Sequence, residues 1–82
     1  MENKEIQELG FELRSCSDDE LVYENVFGKV EVSLHIMNRS TFYLSYDNGF
    51  IHCTTSTEYS LDSSIKDILN PFLYNITRLK TT

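Results

Sequence analysis

Tryptophan is absent from this chain, proline occurs once, cysteine twice and glycine three times among 82 residues. Two cysteines are too few for a disulfide scaffold. Three isolated glycines leave no Gly-rich phosphate loop, and so little Gly and Pro argues against a low-complexity or linker-like chain. No apolar run approaches the roughly 20 residues that span a bilayer. The first residues, Glu2-Asn3-Lys4-Glu5, lack the basic flank and apolar stretch of a signal peptide. The reducing cytoplasm is therefore the expected location, with Cys16 and Cys53 as free thiols unless geometry lets them pair.

Basic residues are also scarce. Seven Lys and Arg face thirteen Asp and Glu, a net charge of −6. The excess is concentrated. Residues 1–31 carry nine acids against three bases, whereas residues 32–82 are balanced at four and four. This excludes direct nucleic-acid binding as the expected function, because phosphate contacts need clustered Lys and Arg. It suits a partner with a basic surface.

What remains is an ordinary globular composition, 40% hydrophobic and 24% charged, in a length that makes one domain, 1–82. A helix is expected at about 2–9, with Ile6 and Leu9 on its apolar side and Gly10 as its stop. Phe11 to Ser15 alternates apolar and polar like a strand, and Ser17-Asp18-Asp19 reads as a turn. Leu21 to Val26 is a second strand with Leu21 and Tyr23 inward. Val30, Val32, Leu34 and Ile36 alternate with Glu31, Ser33, His35 and Met37, a half-buried strand without ambiguity. Thr41 to Tyr46 and Ile51 to Ser56 flank Asn48-Gly49, the dipeptide favoured in type I′ hairpins. That turn sets Tyr46 opposite Ile51, Ser45 opposite His52 and Leu44 opposite Cys53. A three-residue loop at 38–40 sets Leu34 opposite Leu44, Ile36 opposite Phe42 and His35 opposite Tyr43.

The C-terminal part repeats apolar residues at three and four: Ile65, Ile68, Leu69, Phe72, Leu73, Ile76 and Leu79. Ser60 or Asp62 is the expected cap. Pro71 either kinks this helix or starts a second one behind Asn70. The expected fold is thus α+β: an antiparallel sheet of about four to five strands, with a short N-terminal helix and a kinked helix or helix pair on one face.

Candidate chemistry is sparse. In these registers His35 and His52 stand roughly 12 Å apart, so they cannot share a metal ion, and no cofactor is expected. Ser45 beside His52 lacks the third group and oxyanion hole of a hydrolase. The residues that point to function are acidic. Glu2, Glu5 and Glu8 repeat along the first helix, Asp18, Asp19 and Glu20 cluster in a loop, and Glu24 and Glu31 lie on neighbouring strands. Tyr43, Phe50, Tyr59 and Phe27 are the aromatics left at or near the surface. Aromatic anchors within a charged rim suit a protein interface. The expected partner-binding residues are Glu5, Glu8, Asp18, Asp19, Glu20, Glu24, Tyr43 and Phe50.

In size, acidity, low cysteine content and absence of enzyme motifs, the whole chain resembles the small inhibitors of bacteriophages and mobile elements. Among these are anti-CRISPR and other anti-defence proteins, and the acidic immunity proteins that neutralise basic nucleases. The resemblance implies a non-enzymatic inhibitor whose acidic surface docks on a basic, nucleic-acid-binding protein inside a bacterial host cell. The alternative is a homodimeric structural or adaptor module.

Overall fold

The computed structural model describes residues 4–80; Glu2 and the side chain of Leu79 lie outside the described residues. The order is α1 (Lys4–Glu8), β1 (Glu12–Cys16), β2 (Glu20–Phe27), β3 (Val30–Met37), β4 (Thr41–Asp47), β5 (His52–Thr54), β6 (Tyr59–Ser60) and α2 (Ile65–Lys80). The strands form one antiparallel meander, β1-β2-β3-β4-β5, with β6 pairing the first residues of β4 alongside β5. The fold is α+β, as the periodicities imply.

Alternation in β3 and β4 builds the core. Val30, Val32, Leu34 and Ile36 meet Phe42, Leu44 and Tyr46 on the inner face. Ile65, Leu69, Phe72 and Ile76 of α2 and Ile6 of α1 cover them. Both helices therefore lie on one side of the sheet, and the other side is left uncovered.

Turn chemistry positions the strands. Gly28 opens the two-residue β2–β3 loop with φ +69, the residue that a type II′ hairpin turn requires at its first position. The β3–β4 loop has three residues, as expected, with Met37 opposite Thr41. Asn38 and Arg39 both adopt left-handed conformations there, at φ 50 and 56. Gly10, at φ +89, lets α1 turn into β1; a Cβ at that position would stand 2.9 Å from the Asn25 amide nitrogen. That same amide donates to the Leu9 carbonyl at 2.8 Å and ties the end of α1 to β2.

Two expectations are corrected. The β4–β5 loop spans four residues, not two: Tyr46 faces Cys53, Asp47 faces His52, and Ser45 faces Thr54. Asn48 supplies the reason. Its side-chain oxygen accepts from the amides of Phe50 and Ile51 at 2.9 and 2.7 Å, so it acts as an Asx-type acceptor rather than as the first residue of a tight turn. The new register differs by two residues, which keeps every side chain on its expected face. Leu13 is half exposed, because the inner face beside the edge strand lies beyond the helices' cover. Second, α2 is capped by Ser64, whose hydroxyl accepts from the Asp67 amide at 3.4 Å. Ser60 instead accepts from Asp62 within a turn. At Pro71, α2 takes the first of the two alternatives and runs through it as one helix.

Candidate functional site

The uncovered sheet face is a continuous surface that the fold leaves without a layer. By register it carries Glu12 from β1, Glu20, Val22, Glu24 and Val26 from β2, Glu31, Ser33, His35 and Met37 from β3, and Thr41, Tyr43 and Ser45 from β4.

A diagonal of hydrogen bonds crosses its centre. His35 Nδ1 lies 2.9 Å from Glu20 Oε2, and His35 Nε2 lies 2.8 Å from Ser45 Oγ. A carboxylate only accepts, so Nδ1 carries a hydrogen and donates it; in the neutral imidazole Nε2 then accepts from the Ser45 hydroxyl. The His35 ring stacks on Tyr43 with centroids 4.5 Å apart and planes 5° from parallel. Burial raises the Tyr43 pKa, and the carboxylates of Glu20 and then Glu58 add to it. Glu58 accepts from the Thr41 hydroxyl at 2.7 Å. An aromatic side chain thus stands fixed between two acids.

The bond order Ser–His–Glu resembles a hydrolase triad, but its setting is a flat strand surface. Strand amides are used up in the ladder, so none converge on Ser45 as oxyanion donors. What the chain of bonds does here is lock the rotamers of three side chains. Sequence reasoning gave Ser45 to His52; the register shift gives it to His35. The missed trio was within reach, because pairing His35 with Tyr43 already makes Ser45 its diagonal neighbour.

Toward the other end of this face the acids line up. Glu12 stands directly opposite Glu24, and Glu31 is the diagonal neighbour of Glu24 across β3. Carboxylates set opposite one another repel. A bulge at Arg14 interrupts the β1–β2 register and brings that guanidinium to Glu24, Nε to Oε1 3.2 Å. Arg14 is the one base on the face among the described residues; Lys29 and Arg39 sit in the turns at its two ends.

The structure separates the expected partner-binding residues. Glu20, Glu24 and Tyr43 share the uncovered face, with exposed Asp18 and Asp19 in the turn at one end of it. Glu8 is exposed on α1, in the helical layer behind the sheet. Glu5 is turned inward to α2. Its carboxylate accepts from the amides of Ile65 (2.8 Å) and Lys66 (3.1 Å) and from the Ser64 hydroxyl (3.1 Å). Burial pushes its pKa up, but these donors and the Lys66 charge outweigh that and hold it below the ordinary value. Phe50, 96% exposed, stands on the β4–β5 loop at the sheet end opposite Asp18 and Asp19. That loop is rigid: Asp47 accepts from the Gly49 amide at 2.8 Å and lies 3.3 Å from His52 Nδ1. Those two contacts, in that order, lower the Asp47 pKa.

Tyr59 and Phe27 are half-buried instead of free. Tyr59 packs on Phe42, and Phe27 meets Phe11 edge-on at 5.7 Å. The cysteines sit on β1 and β5, roughly 19 Å apart by strand spacing, and are free thiols. Among the described residues no His, Cys, Asp and Glu group has metal-binding geometry, and no helix is long and apolar enough to cross a membrane. Compared with protein-family models, curated proteins and solved structures, the chain matches none.

Proposed function

We propose that the chain is a non-enzymatic binding protein, an inhibitor or adaptor, whose uncovered sheet face docks on a basic surface of a nucleic-acid-binding protein. The observation that carries this is the composition of one face. Tyr43, held by stacking and flanked by Glu20 and Glu58, is continuous with Val22 and with the Glu12, Glu24 and Glu31 line. A rigid aromatic inside an acidic rim combines low ordering cost with electrostatic steering. Glu5 does not belong to this surface, and neither does Glu8.

The test is affinity capture from a cell extract, comparing wild type with Glu12→Lys/Glu24→Lys/Glu31→Lys and with Tyr43→Ala. The expected result is a partner held at about 50 mM salt, released by about 300 mM, and lost with either variant. Capture that survives both the charge reversal and the salt removes the proposal.

A further inference from the structure

The β4–β5 loop brings the three groups of one reaction together. Asn48 is followed by Gly49, so no side chain on the next residue hinders an approach of its backbone nitrogen to the Asn48 side-chain amide. A Cβ at Gly49 would meet nothing within 4 Å, and residues 47–50 are all exposed. Water reaches this loop, and a small leaving group has a way out.

Nucleophile, electrophile and base are each fixed by hydrogen bonds. The Gly49 amide donates to Asp47 Oδ1 at 2.8 Å, so a carboxylate stands where the proton on that nitrogen would go. His52 Nδ1 lies 3.3 Å from the other oxygen, Oδ2, and orients the carboxylate. The same two contacts favour its ionised, proton-accepting form. Asn48 Oδ1 accepts from the Phe50 amide at 2.9 Å and from the Ile51 amide at 2.7 Å. Two donors on one carbonyl oxygen draw electrons from Cγ and stabilise the oxyanion that forms when a nucleophile adds there. The uncovered sheet face lacks such donors at Ser45; this loop has them at Asn48. The nucleophile and Cγ belong to adjacent residues, so their union is intramolecular, and a fixed loop has already lost the entropy that ring closure costs.

We propose that this loop catalyses its own deamidation at Asn48. The Gly49 nitrogen attacks Asn48 Cγ while Asp47 takes the proton from that nitrogen. The Phe50 and Ile51 amides hold the negative charge on Oδ1. The Cγ–Nδ2 bond then breaks, and the proton passes from Asp47 to the departing nitrogen, which leaves as ammonia. A succinimide now joins residues 48 and 49. Water opens it at either carbonyl and leaves aspartate or isoaspartate at position 48. Water is the only co-reactant. The product adds a negative charge beside Asp47 and the exposed Phe50, and the isoaspartyl form also lengthens the loop backbone by a methylene. The reaction needs no partner and is independent of the acidic face.

The experiment incubates the full chain at neutral pH, folded in buffer and unfolded in guanidinium chloride. The tryptic segment 40–66, in which Asn48 is the single asparagine, is followed by mass spectrometry, and isoaspartate is detected by enzymatic methylation. The expected result is deamidation roughly tenfold faster in the folded chain than in the unfolded one. Asp47→Asn still offers Gly49 an acceptor oxygen but takes no proton. It should slow the folded chain by about 100-fold, the lower end of a general-base contribution, and leave the unfolded rate unchanged. A folded wild-type chain that reacts no faster than the unfolded one overturns the proposal without any variant. Asp47→Asn reacting at the wild-type rate when folded overturns it as well. So does an equal slowing of Asp47→Asn in denaturant, which would make Asp47 a neighbour in sequence rather than a base placed by the fold.

Discussion

Glu5 shows how a surface-looking acid becomes structural. It lies 60 residues from Ile65 in sequence, yet its carboxylate caps the amides that open α2. Those amides have no intrahelical acceptors, and the helix dipole adds to the attraction. Glu5→Ala should lower stability by about 1–2 kcal/mol in urea denaturation, Glu5→Gln by less, and Glu8→Ala by almost nothing. The sign with pH follows from a lowered pKa. The contribution is complete above the ordinary carboxyl value of 4.5 and disappears as pH falls through the folded value. The stability gap between wild type and Glu5→Gln should therefore be wide at neutral pH and close in acid. Tyr43 works in the opposite sense. Its pKa is raised from 10.0, so its neutral form contributes below that pH and the contribution is lost in stronger alkali. Ultraviolet titration of wild type against Tyr43→Phe should place the difference in tyrosinate absorbance above the ordinary value of 10.0.

Within the elements, two positions hold backbone conformations at a cost. Arg39 adopts φ 56 in the β3–β4 loop, where a residue with a Cβ is strained by roughly 1–2 kcal/mol. Arg39→Gly creates Asn-Gly at left-handed positions that suit it, and should raise stability by about 1 kcal/mol. Pro71 sits in the exposed interior of α2. Proline there removes a hydrogen bond and crowds the preceding turn. Pro71→Ala should raise the melting temperature, worth about 1–3 kcal/mol, with the looser unfolded chain returning part of the gain. A drop in melting temperature would mean that the ring packs usefully against the segment that follows β5. The amphipathic stripe Ile65, Leu69, Phe72 and Ile76 explains why the helix survives the interruption: burial on the sheet outweighs one lost bond.

Both sheet edges are protected against pairing with another copy. β1 is bulged at Arg14 and flanked by charges, while β5 and β6 are three and two residues long. Such devices blunt edge-to-edge association. The acidic face opposes self-association too, since a twofold contact through it would set Glu12, Glu24 and Glu31 near their own copies. Sedimentation at physiological salt should give a single species near 9.6 kDa. A concentration-dependent dimer would indicate that Leu13 and its half-buried neighbours Leu21 and Tyr23, at the end of the inner face that the helices leave open, form a contact strong enough to overcome the repulsion.

Alternation and spacing along the chain were enough to determine the α+β class, the face that β3 and β4 bury, the β3–β4 register and the apolar stripe of α2. Each depends on local periodicity, and β-strand parity survives even a register error of two residues. That same parity is why the β4–β5 register was not legible: both pairings bury the same side chains, and only the hydrogen bonds of Asn48 distinguish them. Tertiary structure alone decided that Glu5 leaves the acidic surface to cap a distant helix and that Glu20, His35 and Ser45 form one chain of bonds. Those relations join residues far apart in sequence, and local periodicity carries no record of which distant group each one meets.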